Sequence, residues 1–183
     1  MSMGAKKVLV LDVDETLLTI EPVHYLNLFH KDFKKMPGKV VTFPESKKEY
    51  YLMARPRAKE FLDKAQTQFT LVAYSVVARE YTREKLKLLG FEKYFAKIYG
   101  KEDLVDKKKS LAMISEELHV PQESIIAIDD LPEMVHEQQQ VIPIKKWLIG
   151  SNAEYEFQEQ QDNLMGALQL ALSLQGQVPK IFS

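Results

Sequence analysis

Five short apolar runs, each too short for a buried helix, punctuate the chain: "VLVL" (8–11), "FTLVAY" (69–74), "AKIY" (96–99), "SIIAI" (124–128) and "VIPI" (141–144). Several are apolar at consecutive rather than alternate positions, the pattern of strands covered on both faces. Between them lie segments of helical period. Pro56 suits a first helical turn leading into "RAKEFLDKA". "AREYTREKLKLLG" sets Tyr81, Leu86 and Leu89 broadly on one side and stops at Gly90. "KSLAMISEEL" carries Leu111, Ile114 and Leu118 on one stripe, and "PEMVHEQQQ" again opens on proline. Strand and helix in alternation with short joins specify an α/β protein, a doubly wound Rossmann-like parallel sheet.

One stretch breaks the alternation. The segment of about 21–55 reads as a β-hairpin insert around "KVVTFPESKKEYYLMARP", with the lead "VHYLNLFHKDF" of helical character. Toward the C-terminus Leu164, Leu168 and Leu172 recur at spacing four, so an amphipathic helix is expected over about 154–175. With 183 residues, 45% of them hydrophobic, the chain is expected to form a single domain over 1–183.

The formal net charge of −1 gives no global attraction to nucleic acid or to an anionic membrane. The absence of cysteine excludes disulfides, thiolate metal sites and a cysteine nucleophile. No apolar run approaches the ~18 residues of a membrane span, and the run after Lys6 and Lys7 is interrupted too soon for a signal peptide. A cytoplasmic location is the expectation.

In an open parallel sheet, ligands bind beyond the carboxyl ends of the strands. Asp12 and Asp14 follow the first run, Ser75 the second, and Asp129 and Asp130 the fourth, so all five belong on one rim. Four carboxylates there cannot all stay ionised without a counter-charge, and a hard divalent cation is the natural one. Lys107, Lys108 and Lys109, placed at the start of the helix before the fourth run, offer another positive group. Taken singly, each aspartate, the serine and the lysine run is explained by capping, turns or a solvated face; their order and shared rim argue for a site. Calcium by an EF-hand loop fails, because Thr16-Leu17 stands where the acidic-glycine pair belongs and Val23 where the twelfth-position glutamate belongs. No G-x-x-x-x-G-K-[ST] or G-x-G-x-x-G motif is present.

"DVDETLL" reads as D-x-D-x-T after an apolar strand. With Ser75, a lysine near 109 and the Asp129-Asp130 pair in that order, the chain resembles the haloacid dehalogenase (HAD) superfamily of phosphotransferases over about 6–148. Within it, "YYLMARPRAKEFL", the aspartate pair followed by Pro132, and "VIPIKKWL" with Trp147 are similar to the small phosphatases acting on the RNA polymerase II C-terminal domain. The magnesium-dependent phosphatases are a near alternative. Ser75 replaces threonine, Leu131 stands where serine is usual, and "ISEELHVPQES" is longer than in these relatives.

The resemblance implies a Mg²⁺-dependent phosphomonoester hydrolase. Asp12 is the implied nucleophile, Asp14 the acid and base, and Thr16 a brace for the loop. Asp12, the main-chain carbonyl of Asp14, and Asp130 are the implied metal ligands, with Asp129 orienting the lysine. Ser75 and the lysine bind the phosphoryl oxygens; Lys109 is favoured, with Lys107 and Lys108 as alternatives. Glu15 is a neighbour facing solvent. The insert, with His24, His30, Lys31, Lys34, Lys35 and Lys39, is expected to be a small flap, with no large cap domain elsewhere. Such an open site suits a phosphoprotein or phosphopeptide substrate, which the flap could dock; a solvated hairpin is the plainer reading. Tyr50, Tyr51, Met36, Met53 and Trp147 are expected to pack, and Arg55 to be structural more often than phosphate-binding. A small-molecule phosphatase and a non-catalytic binding module remain as alternatives, and the oligomeric state is open.

Overall fold

In the computed structural model, which describes residues 7–30, 32–43, 46–158 and 160–174, the apolar runs form five parallel strands. They are β1 (Lys7–Leu11), β5 (Phe69–Tyr74), β6 (Phe95–Tyr99), β7 (Ile125–Asp129) and β8 (Val141–Pro143), ordered β6-β5-β1-β7-β8. Strand β1 is central, pairing Val10 with Val72 on one side and with Ala127 on the other. The period of two explains why β1, β5 and β7 are apolar at consecutive positions over most of their length. Leu9, Leu11, Leu71, Ile126 and Ile128 enter one core, while Val8, Val10, Val72, Ile125 and Ala127 enter a second.

Helices cover both faces. The first core is closed by α2 (Ala58–Ala65), α3 (Arg79–Leu88) and α5 (Leu164–Ser173), through Phe61, Leu62, Leu86, Leu164 and Leu168. The second is closed by α4 (Leu111–Leu118), through Leu111 and Ile114. The chain runs outward from β1 to β5 and β6, then crosses to β7, so the strand order reverses between β1 and β7. A ligand crevice belongs at that reversal. No helix among the described residues is long and apolar enough to cross a membrane.

The insert is a three-stranded antiparallel sheet in the order β2-β4-β3, with β2 (Leu18–Pro22), β3 (Lys39–Thr42) and β4 (Glu49–Ala54), and a helix α1 (Val23–Phe29) after β2. The expected hairpin is β3 and β4. The added strand, "LTIEP", pairs Leu18 with Ala54 through to Pro22 with Tyr50. It escapes sequence reading because it starts within the acidic motif and ends on proline, which only an edge strand tolerates. Tyr51 anchors the sheet: its hydroxyl donates to the Met36 carbonyl at 2.6 Å and accepts from the Gly38 N–H at 2.9 Å. A Cβ at Gly38 would lie 2.4 Å from the Tyr51 ring, so only glycine allows this approach. Phe43, after β3, sits 4.4 Å from the Tyr81 ring on α3, joining insert and core.

Three local expectations change. Helix α2 starts at Ala58, after Arg57 in the left-handed region (φ 63°), so Pro56 precedes the helix. The segment after Pro132 forms two 3-10 turns, Pro132–Met134 and Gln138–Gln140, instead of a helix. Its backbone is claimed elsewhere, because Lys109 N–H donates to the Met134 carbonyl and His136 N–H to the Lys109 carbonyl. The C-terminal helix α5 spans only Leu164–Ser173, capped by Asn163 Oδ1 accepting from Gly166 N–H at 2.8 Å; a 3-10 turn, Ala153–Phe157, precedes it.

Arg55 fastens that turn to the acidic loop. It is buried, pairs with Glu156 at 2.7 Å, and donates to the Thr16 carbonyl at 3.2 Å. Removing one partner of such a pair strands a buried charge. Glu156→Ala is therefore expected to lower unfolding stability by about 3–5 kcal/mol, as measured by urea denaturation. A loss below about 1 kcal/mol, the range of exposed pairs, would contradict that role for the pair.

Candidate active site

The acidic loop begins as a continuation of β1. Asp12 N–H donates to the Ile128 carbonyl at 3.0 Å, while Val13 turns into the same core as Leu9 and Leu11. Alternation therefore sends Asp12 and Asp14 to the opposite side. The loop then closes tightly: Leu17 and Leu18 N–H both donate to the Val13 carbonyl, and Glu15 is held at φ 63°. A glutamate in that conformation is strained. Its backbone is fixed from both directions, with Glu15 N–H donating to the Leu18 carbonyl at 2.6 Å and Trp147 N–H to the Glu15 carbonyl at 2.7 Å. The Glu15 side chain, expected to face solvent, is half-buried and pairs with Lys146.

Lys109 lies at the centre of the cluster. Its ammonium donates to Asp12 Oδ1 at 2.5 Å and to Asp129 Oδ2 at 2.6 Å, and all three side chains are buried. Burial alone opposes its charge, but the Asp12 and Asp129 carboxylates outweigh that and raise its pKa above the ordinary lysine value. The adjacent turn explains why Lys109 is the inward lysine of the three. Val105 and Lys108 exchange backbone hydrogen bonds at 2.9 Å across Asp106 and Lys107, both at positive φ. That hairpin turn leaves Lys107 exposed at its tip. Helix α4 begins only after Lys109, where Ser110 Oγ accepts from Met113 N–H and the Glu137 carboxylate accepts from Leu111 and Ala112 N–H. The lysines precede the helix rather than opening it.

Asp12, Asp129 and Asp130 each offer a carboxylate oxygen within 4.8 Å of the others. Asp129 has both oxygens engaged, one by Lys109 and one by Leu131 N–H at 2.9 Å. Asp130 Oδ1 accepts from Thr16 Oγ1 at 3.2 Å. Asp12 Oδ2 and Asp130 Oδ2 are buried without a partner among the described residues. Two orphan carboxylate oxygens in one crowded site fit a hard cation such as Mg²⁺. Burial first, then repulsion from Asp12, pushes Asp129 up to about 6. Burial, Asp12 and Asp129 together push Asp130 up to about 7.

Ser75 follows β5, with its N–H bonded to the Tyr99 carbonyl and its Oγ donating to Asp14 Oδ2 at 3.0 Å. Asp14 Oδ1 pairs with Lys85, a fully buried lysine of α3 that sequence reading passed over. The available signal was its place four residues after Tyr81 and one before Leu86, on the inward side of the helix.

Among the basic residues of the insert, Lys35 pairs with Asp32 and Lys39 donates to the Leu88 carbonyl; Lys31 lies outside the described residues. Tyr51, Met53 and Trp147 are buried, as packing residues should be. Tyr50 and Met36 are partly buried against the hydrophobic clusters.

The fold resembles known phosphohydrolases. Fcp1, described as an essential RNA polymerase II CTD phosphatase, superposes with a TM-score of 0.61 at 18% identity, covering 90% of this chain and 49% of that one. Fission yeast Fcp1-R271A, bound to beryllium fluoride, gives 0.62 at 14% identity, covering 92% and 50%. A haloacid dehalogenase-like hydrolase from Xanthomonas campestris gives 0.61 at 13% identity, covering 95% and 98%. The chain thus spans about half the length of the Fcp1 chains it matches, and at these identities the likeness concerns the fold. No curated protein sequence matches the chain. The family model for NLI interacting factor-like phosphatases matches residues 7–177. With the HAD fold, the D-x-D-x-T loop and a family match over nearly its whole length, the chain belongs to the NLI interacting factor-like phosphatases, HAD-type hydrolases.

Proposed function

We propose that the chain is a Mg²⁺-dependent phosphomonoesterase working through an aspartyl-phosphate on Asp12, with a phosphorylated protein segment as substrate. The single observation that carries the chemistry is the arrangement around Lys109: one ammonium spans Asp12 and Asp129, while Asp12 Oδ2 and Asp130 Oδ2 are left unpartnered. It supports Asp12, Asp130 and the Asp14 carbonyl as metal ligands, and Asp129 as the residue that orients the lysine. Bound there, Mg²⁺ supplies positive charge between a carboxylate and a phosphate that would otherwise repel each other.

The protein residues then divide the work. Asp12 attacks phosphorus in line, forming one P–O bond as the ester P–O bond breaks. Asp14, protonated from solvent before the first turnover, gives its proton to the departing oxygen. In the second step it takes one from the attacking water, whose oxygen bonds to phosphorus as the aspartyl P–O bond breaks. Phosphate leaves with Asp12 restored and Asp14 again protonated. Lys109 and Ser75 donate to the phosphoryl oxygens, where charge is spread in the transition state. Thr16, bonded to Asp130, braces the loop against the β7 end.

A protein substrate is favoured by family membership and by the small size of the insert, whose sheet strands lie between Leu18 and Ala54. Fcp1 is itself described as a phosphatase of an RNA polymerase domain. Of the basic residues of the insert, Lys39 donates to the Leu88 carbonyl, while Lys35 pairs with Asp32 at the exposed surface.

Hydrolysis of p-nitrophenyl phosphate is expected from wild type with Mg²⁺, and a loss of at least about a thousandfold on adding EDTA or in Asp12→Asn. Turnover surviving in Asp12→Asn with EDTA would sink the mechanism. Inactive, folded, Mg²⁺-loaded wild type would shift the reading to a binding module. In a panel of phosphopeptides and sugar phosphates, phosphopeptides should give the higher kcat/KM; the reverse order makes the chain a small-molecule phosphatase.

The raised Asp129 and Asp130 pKa values also set a pH dependence. Without metal, the folded state keeps protons that the unfolded chain releases above about 4, so these groups lower stability as pH rises from there through about 6 and 7. A divalent cation removes that repulsion and competes with the protons. The rise in Tm given by Mg²⁺ should therefore be larger at about pH 8 than at about pH 5. Scanning calorimetry of Mg²⁺- and EDTA-treated protein checks it, and an equal rise at both values would count against a metal at these carboxylates.

A further inference from the structure

Lys85 is 0% exposed, which is uncommon for a lysine unless its charge is matched. Its only ion pair among the described residues is with Asp14 Oδ1. The ammonium also sits 4.6 Å from the centroid of the Tyr81 ring, a cation–π contact. Tyr81 in turn packs on Phe43 at 4.4 Å, so the lysine is walled in by α3 and the insert. Helix α3 buries Leu86 beside it, and an apolar residue at 85 would fill the same space. Replacing a buried ion pair by apolar packing is often neutral or stabilising, so the fold alone gives little reason for a charge here.

Asp14 gives the reason. Its second oxygen, Oδ2, accepts from Ser75 Oγ at 3.0 Å. A serine hydroxyl has one proton to donate, and in the proposed reaction Ser75 donates it to a phosphoryl oxygen. When substrate binds, Asp14 therefore loses its Ser75 contact just as its carboxyl must meet the leaving oxygen. The Lys85 contact does not depend on Ser75 and remains.

We propose that Lys85 is a positioning residue for Asp14: it anchors Oδ1 while Ser75 turns to the phosphoryl group, and so holds the Oδ2 edge in place for proton transfer. This rests on reading Asp14 as the group that moves the proton. It predicts a defect in leaving-group protonation that is read in kcat/KM, which ends at formation of the aspartyl-phosphate and so leaves out the second step common to all substrates. Proton transfer to a departing oxygen matters more as that oxygen becomes more basic.

The test compares p-nitrophenyl phosphate with phenyl phosphate, whose phenolate is the more basic leaving group, in wild type, Asp14→Asn, Lys85→Met and the double variant. Lys85→Met should lower kcat/KM on phenyl phosphate at least about tenfold more than on p-nitrophenyl phosphate, together with a fall in Tm because Asp14 is left without its ion pair. Added to Asp14→Asn, it should change kcat/KM by less than about twofold on either substrate, because both substitutions remove one function. Equal losses on the two substrates, or full additivity in the double variant, would each overturn the assignment. If Lys85→Met does not fold, Lys85→Arg carries the test. It keeps the charge at a different reach, so its selectivity between the substrates should lie between wild type and Asp14→Asn; wild-type selectivity would overturn the proposal. An Asp14→Asn variant that loses kcat/KM equally on both substrates defeats the reading of Asp14 itself, a failure visible before Lys85 is changed.

Discussion

Three aspartates, Asp12, Asp129 and Asp130, are gathered in one crowded site with the first two buried, and the Lys109 ammonium is the contact on which that gathering depends. It bonds to a carboxylate at the end of β1 and to another at the end of β7, the two strands between which the order of the sheet reverses. Without it the strands would deliver like charges to one point with no cation from the chain between them. The lysine is in turn held by main chain. Lys109 N–H and carbonyl bond to Met134 and His136, and the turn at Asp106 and Lys107 ends just before it. Two segments that read as helical in the sequence are kept irregular, and their hydrogen-bonding groups serve to place one side chain.

The acidic loop needs its own support because it holds Glu15 at a positive φ. That support comes from distant sequence. Trp147 N–H reaches the Glu15 carbonyl, and Arg55 reaches the Thr16 carbonyl while pairing with Glu156. Arg55 closes the inserted sheet, Trp147 follows β8, and Glu156 lies in the turn before α5. The inserted sheet and the C-terminal segment thus act together as a brace for the D-x-D-x-T backbone. Any contact the insert makes with a substrate is additional to that.

How much of this was legible follows from which signals are local. Runs such as "FTLVAY" are apolar on both faces of a strand, and the strand they mark, Phe69–Tyr74, has the same limits. The shared rim of Asp12, Asp14, Ser75, Asp129 and Asp130 follows from strand direction alone. Three features were not local. The choice among Lys107, Lys108 and Lys109 depended on two non-glycine residues adopting positive φ, which their side chains do not advertise. Strand β2 needed β4 as partner before it could be recognised. Spacing sets Lys85 on the inward side of α3 with Tyr81, but only the fold reveals that this side meets Asp14.

The two aspartates of the motif illustrate the same point chemically. Asp12 and Asp14 are identical residues two positions apart, on the same side of an extended chain. The fold makes them different by giving each its own lysine. Lys109 comes from the segment before α4, whose apolar residues close one core, and leaves Asp12 with a free inward oxygen. Lys85 comes from α3, whose Leu86 belongs to the other core, and together with Ser75 leaves Asp14 with none. A carboxylate with an open oxygen is suited to bond a cation and attack phosphorus. One whose second contact is exchanged when phosphate arrives, as proposed for Asp14, is suited to act only then. In the proposed mechanism, the division of labour between nucleophile and proton carrier follows from which segment supplies the cation, a distinction that the spacing D-x-D cannot encode by itself.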